Sequence, residues 1–243
     1  ASFGPIAGFY DDLMHAVPYE MWVDYYELLL VHQDVRPVRF LDVCCGTGSV
    51  AELLAAKGHT VAGFDLSRPM IEQARLKATA KGLDVRYEVA DAAEFEMGEQ
   101  YDAAYSFFDS LNYITDVGRL RSAIHQVSKH LVPGGSFVFD LNTAYAFEQN
   151  LFDQHDTRAK AKVKYQWIGE YDRSTRIIRV SMDFWVDGVK HQEVHVQRAH
   201  KREEVEGMLL EAGFEDVHVF DSYTLDSPRK RSDRVHYAAI KAR

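Results

Sequence analysis

Short apolar runs and amphipathic stretches alternate along the first part of the chain. A run at residues 40–43 precedes a helical stretch that ends at Gly58, and a run at residues 60–65 precedes a helix that begins at Ser67. That helix carries apolar side chains three or four residues apart and stops near Gly82. Because strands that alternate with helices form parallel sheets covered on both faces, the pattern predicts an α/β fold.

The same alternation continues toward the carboxyl end. We predict strands at residues 85–90, 101–107 and 136–141, the last after the turn Pro133-Gly134-Gly135. A helix halted by Gly213 then precedes two closing strands at residues 217–220 and 234–240. The main sheet is therefore expected to have seven strands.

Residues 143–200 form an insertion with a different pattern. Three stretches with strand character, at residues 163–171, 176–186 and 189–197, predict a small antiparallel sheet. Asp187-Gly188 is a hairpin turn signal, since both turn positions favour positive φ. We interpret the insertion as a lid over the carboxyl edge of the main sheet, where ligands bind in open α/β folds; a dimerisation surface is the alternative.

The domain prediction follows from these elements. We predict an amino-terminal helical cap at residues 1–37, a core at residues 38–142 and 201–243, and the lid at residues 143–200.

Composition restricts the partners and the compartment. The 243 residues are 47% hydrophobic and 27% charged, which is typical of one globular core. A net charge of -9 argues against nucleic acid, since such binders need clustered cations. The two cysteines, Cys44 and Cys45, are adjacent and offer no disulfide framework. With no apolar run long enough for a membrane and no visible signal peptide, we expect a cytoplasmic protein with a small-molecule substrate that could form a homodimer.

The candidate cofactor site lies where the first strand ends. Gly46 and Gly48 follow that strand and open a helix, so the backbone can approach a ligand closely at the positive helix end. Asp65 ends the next strand at the distance where an acid meets a ribose diol. The glycines also fit the dinucleotide pattern G-x-G-x-x-A, so an NAD(P)-dependent oxidoreductase is one alternative.

A further acid, Asp91, and the segment D-x-C-x-G-x-G that begins at Asp42 favour a different family. Together they resemble the class I S-adenosylmethionine-dependent methyltransferases, whose fold is a seven-stranded sheet with a reversed carboxyl-terminal hairpin. The resemblance implies that Asp65 binds the ribose, Asp91 the adenine amine, and Asp42 the loop or the amine of the cofactor. Cys44 replaces the first glycine of the family pattern, and we expect it in extended conformation. The cofactor-binding residues implied are Tyr10, Asp42, Gly46, Gly48, Asp65, Leu66, Met70, Asp91, Ala92 and Phe107.

The amino-terminal segment narrows the resemblance. Tyr10-Asp11 precedes a helix with an aromatic and aliphatic stripe, as in small-molecule methyltransferases that include sugar-amine and glycine-type N-methyltransferases. In that branch such a segment folds over the methionine end of the cofactor, so Tyr10 and Met14 are candidates for closure. Simple packing of Tyr10 on the core is the alternative.

Acceptor chemistry is expected beside the fourth strand and on the last lid strand. Asp109 could bind a cationic acceptor or act in catalysis, although a turn or helix cap is an equal alternative. His195 is the candidate general base, because its ordinary pKa lies near neutrality. Asn112, Tyr113, Trp167 and Arg198 are the candidate substrate residues. His191 and His195 lack a third ligand of convincing spacing, so no metal is predicted.

These expectations combine into one functional hypothesis. The sequence predicts an enzyme that transfers a methyl group from S-adenosylmethionine to an amine or hydroxyl of a small molecule. The alternatives are a non-catalytic protein that binds S-adenosylmethionine, and the oxidoreductase.

Overall fold

Two β-sheets and the helices around them form the part of the chain that the computed structural model describes, residues 3–4, 6–161 and 163–243. Positions 1, 2 and 5 of the predicted cap and position 162 of the predicted lid lie outside the described residues. The strands are β1 Arg39–Val43, β2 Thr60–Asp65, β3 Val85–Val89, β4 Tyr101–Ser106, β5 Leu131–Asn142, β6 Gln154–Asp156, β7 Lys164–Asp172, β8 Ile177–Val186, β9 Val189–Arg198, β10 Phe214–Asp221 and β11 Arg234–Lys241. The α-helices are α1 Tyr10–Leu13, α2 Tyr19–His32, α3 Ser49–Ala56, α4 Arg68–Ala80, α5 Val117–Lys129, α6 Ala144–Glu148 and α7 Arg202–Glu211.

The main sheet has seven strands in the order β10-β11-β5-β4-β1-β2-β3. Strands β1 to β5 pair in parallel, whereas β11 runs antiparallel to both β5 and β10. The predicted seven-stranded α/β fold with a reversed terminal hairpin is thereby confirmed. Because β1 to β4 are parallel, the loops that follow them open at one edge of the sheet.

Both faces of this sheet are buried. Along β1, Leu41 and Val43 face one apolar cluster, which also holds α5 and α7 residues, while Phe40 faces the other, which holds α2, α3 and α4 residues. This alternation follows from the two-residue period of a strand. The helices on each side keep the sheet, and therefore its carboxyl edge, in a fixed position.

Strand β5 is longer than predicted. It begins at Leu131 and continues through Pro133-Gly134-Gly135, where a turn before residue 136 was expected. The register between β4 and β5 shifts between Tyr101 and Ala103, which accommodates the extra residues as an irregularity of the ladder. A Cβ at Gly135 would lie 2.8 Å from the Val132 carbonyl oxygen, so only glycine fits there.

The inserted sheet has four antiparallel strands, in the order β6-β7-β8-β9, where three were predicted. Strand β6 was missed because its three residues are polar and exposed or half-buried, with no alternation to mark them. The hairpin turn Asp187-Gly188 is present, with positive φ at both residues. One face of the sheet packs Val180 and Phe184 against Ile6 and Phe147, which fixes it against the amino-terminal segment and α6.

Within the described ranges, no helix combines the length and the apolar character needed to cross a membrane.

Gly135→Ala tests the irregular start of β5. The added methyl group would press on backbone oxygens of Val132 and Asp102, so we expect the free energy of unfolding to fall by about 1–3 kcal/mol. The matched control is Gly207→Ala in α7, where a Cβ meets nothing within 4 Å. Because alanine favours helix over glycine, this variant should be up to about 1 kcal/mol more stable. Urea unfolding measures both, and equal effects of the two substitutions would contradict the assignment.

Candidate active site

A cavity of about 1050 Å³ lies between the carboxyl edge of the main sheet, the amino-terminal segment and the inserted sheet. Most of the residues predicted from the sequence line it together. These are Tyr10, Asp42, Gly46, Asp65, Leu66, Met70, Asp91, Ala92, Phe107, Asp109, Tyr113, Trp167 and His195. Gly48, Asn112 and Arg198 do not line it. One cavity therefore contains both the candidate cofactor residues and the candidate acceptor residues.

The glycine loop between β1 and α3 is shaped by two different constraints. Gly46 has a φ of 56°, and a Cβ built there meets nothing within 4 Å, so its backbone borders open space in the cavity. Gly48 has a φ of 79° at the start of α3, and a Cβ would lie 2.2 Å from the Tyr87 hydroxyl. Gly46 thus keeps space for a ligand, whereas Gly48 allows the close packing of Tyr87.

Cys44 does not have the extended conformation expected for it. Its φ is 62°, in the left-handed region that favours glycine. The residue keeps the backbone turn of the family pattern despite its side chain, which packs against the apolar cluster on one face of the sheet. Burial raises the pKa of the Cys44 thiol, and the Asp65 charge raises it further, so the thiol stays protonated.

Asp65 connects two loops at the edge of the sheet. Its Oδ2 accepts a hydrogen bond from the Gly46 N–H at 2.9 Å, and its Oδ1 accepts one from the Ser67 N–H at 2.9 Å. Burial raises the pKa of this carboxyl, and the backbone hydrogen bonds oppose that rise. Each oxygen accepts one of these bonds and retains further acceptor capacity toward the cavity. Leu66 beside it is 66% exposed.

Asp91 follows β3 and also lines the cavity. Its Oδ1 accepts the Ala93 N–H at 2.9 Å, and its Oδ2 pairs with Arg119 of α5 at 2.5 Å. Arg119 lines the cavity as well and was not predicted from the sequence. Arg119 lies in the first turn of α5, three residues after the capping residue Asp116. Nothing in that local pattern indicates that its side chain pairs with Asp91.

Asp42 lies under the glycine loop at the end of β1. It is 4% exposed and accepts a hydrogen bond from the Tyr105 hydroxyl at 2.9 Å. Burial raises the pKa of this carboxyl well above its usual range, while the Tyr105 hydrogen bond lowers it. Asp42 pairs in register with Tyr105 of the neighbouring strand β4, so its carboxyl is held inside the protein rather than in solvent.

The amino-terminal segment is fastened to the glycine loop by Asp11. Its Oδ1 accepts the Thr47 hydroxyl at 2.6 Å, and its Oδ2 pairs with Lys77 of α4 at 2.6 Å. Lys77 also donates to the Thr47 carbonyl oxygen at 3.2 Å. Tyr10, the neighbour of Asp11, lines the cavity. The role of Asp11 itself was missed.

Asp109 lines the cavity and is held in a network of hydrogen bonds and ion pairs. Gln197 donates to its Oδ2 at 2.5 Å, and Arg234 lies 3.4 Å from its Oδ1. Asp140 accepts the N–H groups of Phe108 and Asp109 at 2.8 and 2.7 Å and pairs with Arg234 at 2.7 Å. Burial raises the pKa of Asp109; the Arg234 charge lowers it, and Asp140 raises it further.

Asp140 and Arg234 were not identified from the sequence. Asp140, an acid near the end of the apolar strand β5, is a signal that the sequence offers. Arg234 gives no such signal, because it comes from a distant strand. Both residues keep Asp109 in its left-handed conformation, with a φ of 54°.

His195 lies in the cavity wall with both ring nitrogens engaged. Its Nδ1 is 2.7 Å from the Tyr113 hydroxyl, and its Nε2 is 2.6 Å from Glu193 Oε2. Glu193, His195 and Gln197 alternate with more exposed residues along β9, and all three are buried. His195 therefore has no free ring nitrogen to offer to the cavity.

Asn112 and Arg198 lie behind the wall. The Asn112 amide donates to the carbonyl oxygens of Asn142 and Arg198, at 3.1 and 2.9 Å, and accepts the Asn142 N–H at 2.9 Å. Arg198 donates to the Thr115 carbonyl oxygen at 3.3 Å. Both side chains connect the inserted sheet to the loop after β4. Among the described residues, no group of three His, Cys, Asp or Glu side chains is placed to hold a metal ion.

Comparison with known proteins places these observations in context. Residues 40–135 match a family described as a methyltransferase domain. The crystal structure of an S-adenosylmethionine-dependent methyltransferase from Clostridium acetobutylicum ATCC 824 is 28% identical, covers 100% of both chains and superposes with a TM-score of 0.86.

Two sequence relatives extend the comparison. YqeM of Bacillus subtilis (strain 168), whose name assigns it provisionally as a methyltransferase, is 29% identical over 98% of this chain and 96% of its own. The dTDP-3-amino-3,4,6-trideoxy-alpha-D-glucopyranose N,N-dimethyltransferase of Streptomyces venezuelae is 27% identical over 71% of this chain and 73% of its own.

Asp11→Asn tests the attachment of the amino-terminal segment. Loss of the ion pair with Lys77 should weaken closure by up to about 1 kcal/mol, which raises amide hydrogen exchange in α1 on the order of fivefold. Glu27→Gln is the matched control, since it breaks the exposed pair with Lys57 far from the cavity. Mass spectrometry of exchange in residues 6–17 measures the effect; unchanged exchange in Asp11→Asn would disprove the attachment.

Proposed function

We propose, from its identity as an S-adenosylmethionine-dependent methyltransferase, that this chain methylates an amine or hydroxyl group of a small molecule. The single observation that supports the proposal is the continuity of the cavity. It extends from the glycine loop and Asp65 to Asp109 and Tyr113, so a cofactor and an acceptor fit end to end.

The residues at the glycine loop fit the nucleoside part of the cofactor. Gly46 leaves open the space that a side chain would fill, and Asp65 retains acceptor capacity toward the same space. In this proposal Asp65 binds the ribose hydroxyls, while Asp91 and Ala92 lie at the adenine. Asp42 and Tyr10 lie toward the methionine end. Leu66, Met70 and Phe107 supply apolar walls.

The bound cofactor supplies an electrophilic methyl group on a sulfonium. The protein then has to align the acceptor, exclude water and remove a proton. The amino-terminal segment and the inserted sheet cover the cavity, which supports their assignment as a cap and a lid. Asp11 and its partners keep the cap closed over the glycine loop.

The acceptor end of the cavity suits a small polar molecule, with an amine as the first candidate. Asp109 supplies a carboxylate, and the rings of Tyr10 and Tyr113 offer faces to a cationic group. Trp167 lines the same region from the lid and has a buried indole N–H without a protein partner. An amino sugar is the acceptor that the name of the Streptomyces venezuelae relative states, and it has this chemistry.

One alternative function is removed by the family match, and several expectations stay untested. The oxidoreductase is discarded, because the matched family is a methyltransferase domain. The absence of nucleic-acid and membrane partners, the homodimer, the cytoplasmic location and the domain boundaries stay predictions.

Asp65→Ala tests the cofactor site. Removal of a charged hydrogen-bond acceptor should weaken S-adenosylmethionine binding by about 1.5–3 kcal/mol, roughly 10- to 150-fold in the dissociation constant. Titration calorimetry measures the affinity, and circular dichroism checks that the fold persists. Asp24→Ala on the exposed face of α2 is the control. Wild-type affinity in a folded Asp65→Ala protein would refute the ribose assignment.

The acceptor class is tested with S-adenosylmethionine that carries a labelled methyl group. The wild-type protein is mixed with the low-molecular-mass fraction of a bacterial cell extract, and separately with its protein and RNA fractions. We expect label in an amine or hydroxyl compound of the first fraction. Label confined to protein or RNA would contradict the proposed function.

A further inference from the structure

A chain of three polar side chains leads from the acceptor end of the cavity into the protein. Tyr113 Oη lies 2.7 Å from His195 Nδ1, and His195 Nε2 lies 2.6 Å from Glu193 Oε2. His195 is 1% exposed and Glu193 is 8% exposed. Of the three, Tyr113 and His195 line the cavity, whereas Glu193 lies behind them.

The chemistry of the groups gives this chain a direction. An ionised Glu193 can only accept hydrogen bonds, so His195 must carry its proton on Nε2. His195 Nδ1 then has a free electron pair and accepts the Tyr113 O–H. The backbone N–H of Phe3 also donates to Glu193 Oε2, at 3.2 Å, which fixes the carboxylate in place.

The same arrangement prevents His195 from acting directly on an acceptor. Both of its ring nitrogens are occupied, and the Phe3 ring packs against the imidazole with centroids 4.4 Å apart. Tyr113 is half-buried and lines the cavity, whereas His195 is 1% exposed, so Tyr113 is the member of the chain placed to contact an acceptor. This differs from the sequence hypothesis, in which His195 itself was the base.

Resting on the proposed function, we propose that Tyr113 is the catalytic residue that receives the acceptor's proton, and that His195 and Glu193 are the residues that position it and take up the charge. The three residues thus form a proton relay, named here the Tyr113 relay.

The step balances in atoms and electrons. The acceptor nitrogen or oxygen forms a bond to the methyl carbon, the carbon–sulfur bond breaks, and its electron pair stays on sulfur. The acceptor proton moves to Tyr113 Oη while the Tyr113 proton moves to His195 Nδ1. The resulting imidazolium is stabilised by the Glu193 carboxylate, and its proton later returns to solvent.

Burial of the Tyr113 side chain favours a concerted proton transfer over formation of a free tyrosinate. It raises the pKa of the Tyr113 phenol, and the neighbouring charge of Asp109 raises that pKa further. Tyr113 therefore gives up its proton only as it receives another. The charged and titratable groups around the relay are Asp109 with its partner Arg234, Tyr10 on α1, and Glu193 itself.

The resting state of the relay can be measured without any acceptor. Nitrogen-15 histidine spectra of the full chain bound to S-adenosylmethionine should show the proton of His195 on Nε2, with assignment by His195→Asn. A neutral His195 protonated on Nδ1 would overturn the relay. Failure of S-adenosylmethionine to bind would instead count against the proposed function.

Kinetics then separate a catalytic from a structural role. The probe is the low-molecular-mass extract fraction, with label transfer followed from pH 5 to 9. In the wild type, kcat/KM should depend on pH, because the relay has to accept a proton. Tyr113→Phe should lower kcat about 100-fold with an apparent KM within about threefold, and should abolish that pH dependence.

The controls decide the remaining outcomes. Tyr171→Phe removes a phenol from the lid strand β7 away from the cavity and should retain wild-type kinetics. Wild-type activity of Tyr113→Phe, or a reduced activity with the wild-type pH profile, would overturn the proposal. Absence of label transfer in the wild type would contradict the proposed function and leaves the histidine spectra to decide the relay.

Discussion

The site depends on one buried carboxylate, Asp65, which joins the loop after β1 to the loop after β2. Its two oxygens accept one backbone N–H each, from Gly46 and Ser67, and so hold both loops at the same edge of the sheet. A carboxylate suits this position because it has two acceptor oxygens, one for each loop. Fixing these loops sets the position of α3 and α4, and α4 carries Lys77, to which the amino-terminal segment attaches.

The residues at the candidate cofactor end of the cavity could be brought together from the sequence because their signals are local. A glycine turn after a strand and acids at strand ends lie within a few residues of the backbone they control, so strand order alone brings Asp42, Asp65 and Asp91 together. Parallel pairing then guarantees a shared edge. Even here the extended conformation expected for Cys44 was wrong, since its φ is 62°.

The acceptor half depends on contacts between distant parts of the chain, and sequence patterns predict these poorly. Arg234 reaches Asp109 across 125 positions, and His195 reaches Tyr113 across 82. The two-residue period of β9 puts Glu193, His195 and Gln197 on one face. It could not show that both nitrogens of His195 are occupied, which is the geometry on which the proposed Tyr113 relay rests.

A crystal structure of the protein with S-adenosylhomocysteine tests the central claim most directly. The account predicts the ribose hydroxyls within hydrogen-bonding distance of Asp65, the adenine beside Asp91 and Ala92, and the sulfur directed toward Tyr113. Electron density for the nucleoside elsewhere in the cavity, or a ribose turned away from Asp65, would contradict it.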